Sequence, residues 1–373
     1  MPNNKLKILV INWQDIKNPF GGGAEVHLHE IFKRIAKMGH EVHLFSCEID
    51  GEPKEEEIDG IKIHRKGNRN TFNFGVKKEY NKRFSKDGFD IVIDDINKIP
   101  FYTPRFVKEP LLAISHHFFG TSIFREASLP AASYVYISEK IMNYVYKKTQ
   151  FAVVSQSTLD DFIKKGFNKD NFTIITNAIA HEEYPMKVSE KADNPTVTYF
   201  GRLKKYKSVD HLIKAFALVK EKIPHAKLEI IGKGDFMNSL KELAKFKGVD
   251  QDVTFHGFVS NEKKIELLSK SHLMVNTSMK EGWGITNIEA NACGTPVLSA
   301  NVPGLKDSVK SGLSGDLYEY GNIEELAKKI DGLLSNKERL EELSNGSIVW
   351  ASQFSWDKSA NEMIELIKKV INS

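Results

Sequence analysis

The stretch 272–304, HLMVNTSMKEGWGITNIEANACGTPVLSANVPG, gathers the residues best suited to chemistry. Glu281 and Glu289 bracket Gly282, Trp283, Gly284 and Ile285, where a glycine turn gives way to a helical pattern. The first turn of a helix offers backbone N–H groups without intrahelical partners and the positive end of the helix dipole. Glycines let the backbone approach a ligand, so an anion such as a diphosphate fits there. Two acids cannot ligate that phosphate. They suit hydrogen bonds from hydroxyls, as on a ribose and a sugar. A capped surface helix with two solvated acids satisfies the same spacing. A second set lies in Gly201–Ser208, GRLKKYKS, where Arg202 offers a rigid donor fork and Lys207 a mobile charge for a diphosphate. The pair His116-His117 is a third; adjacent side chains point differently, so one of them reaches a given substrate, and a metal pair lacks a third ligand nearby. Gly21-Gly22-Gly23 opens a helical pattern and could receive phosphate or let a substrate approach closely, although its spacing is not the dinucleotide fingerprint.

Strands and helices must aim these groups. Short apolar runs at 6–11, 41–45, 89–93, 111–115, 152–154 and 172–175 read as strands, with another expected at 58–64. His116 then follows the carboxyl end of a strand, where it faces the usual crevice of an open parallel sheet. Helical patterns occupy 24–38, 134–149 and 158–165. The polar segment 181–195, HEEYPMKVSEKADNP, reads as a linker. Strands restart at 196–200 and recur at 227–231, 253–256, 273–275, 297–298 and 317–320, alternating with helices. Helices at 350–354 and 364–370 end the chain. This alternation predicts an α/β protein of two doubly wound parallel-sheet, Rossmann-like domains facing across a cleft. The expected divisions are 1–190, 191–355 and a terminal helix, 356–373, packing back on the first domain. A single barrel is disfavoured by the linker and the restart at 196.

The run Glu281, Gly282, Trp283, Gly284, Ile285, Glu289-Ala290, Gly294-Thr295-Pro296 and Val302-Pro303-Gly304 with Asp307 resembles the paired-acid region of retaining GT-B glycosyltransferases, in the large family 4 (group 1) type that includes sucrose synthases. The resemblance covers nearly the whole chain. It implies that Glu281 contacts the donor sugar and Glu289 the ribose. Gly201, Arg202, Leu203 and Lys207 match the family's phosphate-binding arginine and lysine, with Ser208 where a glycine is usual. His116 matches a histidine that contacts the donor sugar or acceptor side. Glu25 matches a cleft-facing acid after a glycine loop that includes Gly22 and Gly23. Gly257 and Phe258 stand where the family places the nucleotide base, and an apolar wall there suits a base. The implied reaction moves a hexose from a UDP- or GDP-sugar to a hydroxyl of a glycan, glycolipid or small molecule, with retention. A nucleotide-sugar epimerase or hydrolase, or a non-catalytic nucleotide-sugar-binding protein, is the rival reading.

Composition bounds the rest. The chain has 373 residues, 41% of them hydrophobic, enough for two domains. Its 53 basic and 49 acidic residues leave a net charge of +4, too mild to signal nucleic acid as a partner. The nucleotide-sugar donor and a hydroxyl acceptor, such as a lipid-linked glycan, are the expected partners; no oligomeric state is indicated. A basic zone with interspersed aromatics at 62–86 reads as a solvated face or as contact with an anionic acceptor or lipid surface. Cys47 and Cys293 read as buried free thiols. No D-x-D motif stands at a strand end, so no metal and no further cofactor is expected in the chemistry. The start MPNNKLKILVIN carries no signal pattern and no apolar run spans a membrane, so a cytoplasmic enzyme, at most peripheral at the inner membrane face, is expected.

Overall fold

Short runs of Ile, Val and Leu without polar alternation must be covered on both faces, and that condition builds two separate parallel sheets. The computed structural model describes residues 5–97, 99–125 and 127–373; the opening MPNN, part of the start read above, lies outside them. One unit runs to Asn177 and takes in Trp356–Ser373; the other is Ala178–Ser355.

The first unit's sheet contains β1 (Lys7–Ile11), β2 (Glu41–Ser46), β3 (Glu55–Ile58), β4 (Ile61–Arg65), β5 (Ile91–Ile96), β6 (Leu111–Ser115), β7 (Gln150–Val153) and β8 (Phe172–Ile174). Their spatial order is β3-β4-β2-β1-β5-β6-β7-β8, parallel except for β3 against β4. The single strand expected at 58–64 is therefore a hairpin. Asp59 and Gly60, at φ 51° and 84°, turn it, and an Asp-Gly pair with two left-handed residues matches a tight hairpin turn. Helices α1 (Gly23–Lys37), α2 (Phe72–Lys82), α3 (Leu129–Val145) and α4 (Gln156–Lys164) accompany this sheet. Helix α3 begins earlier than its aromatic pattern, with Ser128 before it and Pro130 in its first turn, where a missing N–H costs nothing.

The second sheet has the order β11-β10-β9-β12-β13-β14 and is wholly parallel. It is formed by β9 (Thr196–Phe200), β10 (Lys227–Ile231), β11 (Val253–Gly257), β12 (Leu273–Asn276), β13 (Val297–Ala300) and β14 (Gly315–Tyr318). Helices α5 (Val209–Lys222), α6 (Met237–Phe246), α7 (Asn261–Lys270), α8 (Ile285–Ala292), α9 (Ile323–Leu334) and α10 (Lys337–Ala351) belong to this unit. Its core joins Val197, Leu228, Val275 and Leu298 of the strands to Leu212, Phe216 and Leu326 of the helices.

Two boundaries differ from expectation. The chain passes into the second unit at 178 rather than 191, because the segment read as linker is anchored there. Met186 N–H donates to the Ala292 carbonyl at 3.0 Å, and Lys191 Nζ donates to the Gly294 carbonyl at 2.9 Å. The helix expected at 350–354 straddles the break between α10 and α11 (Trp356–Ile371). Helix α11 packs on α1 within the first unit. Its Trp356 ring meets His27, its Asp357 pairs with Arg34 at 2.6 Å, and Ser359 Oγ donates to the Thr176 carbonyl at 2.9 Å.

Candidate functional site

In an open parallel sheet the crevice for ligands opens at the strand ends where the strand order reverses. In the second unit that point lies between β9 and β12. The loop after β9 carries Arg202 and Lys207; the loop after β12 carries Glu281 to Gly284. The backbone ties them together: Met279 N–H donates to the Tyr206 carbonyl at 2.9 Å, and Thr277 Oγ1 to the Lys207 carbonyl at 2.8 Å. Lys207 Nζ donates to Glu281 Oε1, an ion pair that spans the reversal. Burial lowers the lysine pKa, but Glu281 outweighs it and leaves it raised, so the ammonium is kept. Arg202 is exposed and reaches the Tyr206 hydroxyl at 3.3 Å. Gly201 N–H is bonded to the Ile231 carbonyl and Leu203 N–H to the Lys233 carbonyl, which seats this loop against the one after β10.

Gly284 caps α8 with φ 94°, a left-handed turn that a β-carbon resists. The helix start is held from behind by a buried chain of amides. Asn276 Nδ2 donates to Asn287 Oδ1 at 2.9 Å, and Asn287 Nδ2 to Ser308 Oγ at 2.9 Å. Trp283 is buried, its ring centroid 5.3 Å from that of Phe354, so it props the turn. Gly282, Gly284 and Ile285 remain partly exposed along it.

Glu289 is also only partly buried. The Tyr184 hydroxyl and Lys264 Nζ, the latter at 2.7 Å, both donate to its Oε1. Its Oε2 takes no part in either bond. Burial and the neighbouring carboxylate push the Tyr184 phenol up, so it stays a donor. Neither Tyr184 nor Lys264 stood out in the sequence. Gly257 ends β11, with its carbonyl accepting Gly232 N–H at 2.8 Å. Phe258, expected as a wall, is 79% exposed, with Lys233 Nζ 5.6 Å from its ring centroid.

In the first unit the order reverses between β1 and β5. There the helix start at Gly22-Gly23 already holds an anion. The buried Glu25 carboxylate accepts Gly22 N–H at 2.6 Å, and Asn97 Nδ2 and Gln14 Nε2 also donate to it. Burial raises its pKa. A phosphate at this helix start would displace the chain's own carboxylate. His116 is buried, its Nε2 2.9 Å from Asp95 Oδ1, its ring edge-on to His27 at 5.2 Å. His117 is partly exposed, 4.5 Å from the Phe119 ring.

Four residues of the basic zone are spent on internal pairs: Lys62 with Glu41, Lys66 with Glu79, Arg83 with Glu55, and buried Arg65 with Asp15. Phe72, Tyr80 and Phe84 turn into the core, and Phe74 stays outside. Cys47 and Cys293 are buried free thiols. Among the described residues, no group of three or more His, Cys, Asp or Glu could hold a metal ion. No helix among them is long and apolar enough to cross a membrane.

Two separate α/β units, each on its own sheet and parallel but for the β3–β4 pair, define the GT-B class. The family described as Glycosyltransferase Family 4 matches residues 21–183, and that described as Glycosyl transferases group 1 matches residues 181–350. An uncharacterized glycosyltransferase of Methanocaldococcus jannaschii is 28% identical over 97% of this chain and 98% of its own length. The sucrose-phosphate synthase of Thermosynechococcus elongatus shares the fold with a TM-score of 0.81 at 18% identity, covering 99% of this chain and all of that one. Anabaena HepE, solved with UDP and glucose, does so with a TM-score of 0.75 at 19% identity, covering 98% of this chain and all of its own. The chain belongs to the GT-B glycosyltransferases, with a family 4 first half and a group 1 second half. It transfers a sugar from a nucleotide-diphosphate sugar to an acceptor.

Proposed function

We propose that the sugar is a hexose, carried by a UDP- or GDP-sugar to a hydroxyl of a glycan, glycolipid or small molecule, with retention of the anomeric configuration. The Lys207–Glu281 pair across the loops after β9 and β12 carries this reading. A donor can replace the pair's contact with new partners for both charges: Lys207 turns to the diphosphate and Glu281 to hydroxyls of the attached sugar. Arg202 joins Lys207 on the diphosphate, and the first turn of α8 behind Gly282 and Gly284 adds its dipole. Glu289 accepts a ribose hydroxyl on Oε2 while Tyr184 and Lys264 hold Oε1. Phe258 offers its exposed face to the base beside Gly257. Asp95 takes Nε2 of His116, and Nδ1 is the ring nitrogen left to contact a sugar hydroxyl. Gly22 and Gly23 are assigned to close substrate approach. UDP-glucose is the first donor to try, since Anabaena HepE, of the same fold, holds UDP and glucose.

Retention follows from attack on the face that the diphosphate leaves. The anomeric carbon's bond to the diphosphate oxygen breaks, its bond to the acceptor oxygen forms, and the acceptor's proton passes to the departing diphosphate. Arg202 and Lys207 stabilise the charge growing there, each worth roughly 3 kcal/mol in the transition state. Incubation with a panel of nucleotide sugars and acceptors, with NMR of the product anomer, tests the reading. An inverted product overturns retention; conversion without an acceptor favours an epimerase or hydrolase; binding without turnover favours a binding protein. Arg202→Ala should lower turnover more than it weakens donor binding. We assign no metal to the chemistry, so turnover should survive excess chelator. Loss that Mg²⁺ or Mn²⁺ restores would refute that assignment.

A further inference from the structure

Helix α3 turns a run of apolar side chains outward. Tyr134, Ile137, Ile141 and Tyr144 are exposed, Ile137 by 53% and Tyr144 by 83%, and their three-and-four spacing puts them on one side of the helix. Phe74 of α2, 69% exposed, extends the strip. Its ring centroid lies 5.8 Å from that of Tyr134, and Asn73 Nδ2 donates to the Tyr134 hydroxyl at 2.6 Å. Single exposed apolar side chains are ordinary, but a continuous strip marks an interaction surface.

The charge around the strip is basic. Lys77 and Lys78 are exposed one turn beyond Phe74, and Lys140 is exposed beside Ile141. Lys147 and Lys148 are exposed in the turn that follows the helix. The acid of α3, Glu139, points inward, where its carboxylate accepts N–H bonds from Phe119 at 2.6 Å and Gly120 at 2.9 Å. Tyrosines among isoleucines with a lysine rim match the edge of an anionic bilayer. Aliphatic groups enter the acyl boundary, phenols sit among headgroups, and ammonium groups meet phosphates.

We propose that the face formed by Phe74, Tyr134, Ile137, Ile141 and Tyr144, with its lysine rim, docks the protein on an anionic phospholipid surface. This goes beyond the reaction assigned above and stands whichever sugar is moved. The test is sedimentation of the full chain with vesicles of phosphatidylcholine alone and of phosphatidylcholine mixed with phosphatidylglycerol. The native chain should partition onto the mixed vesicles and far less onto the neutral ones. Ile137→Glu/Ile141→Glu and Lys147→Glu/Lys148→Glu should each cut that partitioning by about tenfold or more, with unchanged far-UV circular dichroism. If the first pair disturbs folding, the second, in an exposed turn, decides. The proposal fails if the native chain ignores both vesicles, or if the folded variants bind as it does. It also fails if velocity sedimentation shows a dimer that Ile137→Glu/Ile141→Glu dissolves while vesicles bind neither protein; the face then belongs to a second copy.

Discussion

A buried imidazole keeps its proton only where a carboxylate outweighs the loss of water. Burial lowers the His116 pKa, and Asp95 raises it by more, so it lies above the ordinary 6.5. His27 shows the opposite case: burial, and then the His116 charge, take it well below that value. The His116–Asp95 contribution to stability is therefore fully present below pH 6.5 and is lost as the pH rises through the folded-state value. Asp95→Asn removes the larger raising influence and leaves burial opposed by the Glu25 charge alone. NMR titration should place the His116 midpoint above 6.5 in the native chain and below it in the variant; equal midpoints would discount Asp95. At the other acid, Glu289→Ala should weaken nucleotide-diphosphate binding by about 1.5–3 kcal/mol, and Tyr184→Phe by about 0.5–1.5 kcal/mol, in calorimetric titration. A Glu289→Ala chain that binds as tightly as the native one removes Glu289 from the ribose. Glu281, Glu289, Arg202 and Lys207 could be read in the sequence because each sits in a short patterned run. Asp95, Tyr184 and Lys264 could not. Each acts on a charged residue far along the chain, and no local spacing records that.

Among the elements, the loop 302–304 governs the geometry of Glu281. Gly304 has φ 83°, and a β-carbon there would stand 2.1 Å from the Glu281 carbonyl oxygen. The loop is fixed in place by Asp307 Oδ2, which accepts Gly304 N–H at 3.1 Å. Gly304→Ala must push the Glu281 backbone away and draw its carboxylate off Lys207. Thermal unfolding should show a loss of about 1–3 kcal/mol, with a larger fall in turnover than in fold content. Turnover equal to that of the native chain would show that the loop has slack. The parallel strands were legible because both of their faces are buried, which leaves unbroken apolar runs such as KILVI in β1. The β3–β4 hairpin was missed because Glu55-Glu56-Glu57 is acidic and half solvated, and strand pairing there rests on Asp59-Gly60. Helix α10 was placed too late because its internal Gly346 and polar residues blur the period.

On the scale of the whole molecule, two α/β units were readable from composition and alternation, but the division between them was not. Polar residues at 181–195 look like a tether, while Tyr184, Met186 and Lys191 fasten that segment to the second unit. The first unit is completed only by α11, whose Trp356, Ala360, Met363 and Ile367 are buried. Ile367→Ala should cost that unit about 2–5 kcal/mol, read as a separate early transition in calorimetry. A single unshifted transition would place α11 outside its core. Ile179 and Ser355 bridge to one another, so the chain enters and leaves the second unit at one spot. That arrangement sets an order of completion. The second unit is one continuous stretch and needs nothing from α11 to close, whatever the state of that helix. Without it the first unit has every strand but lacks the helix that covers α1, so it waits with apolar surface open. A chain cut short within α11 thus carries one finished half and one unsealed half, which is the kind of product that chaperones and proteases recognise.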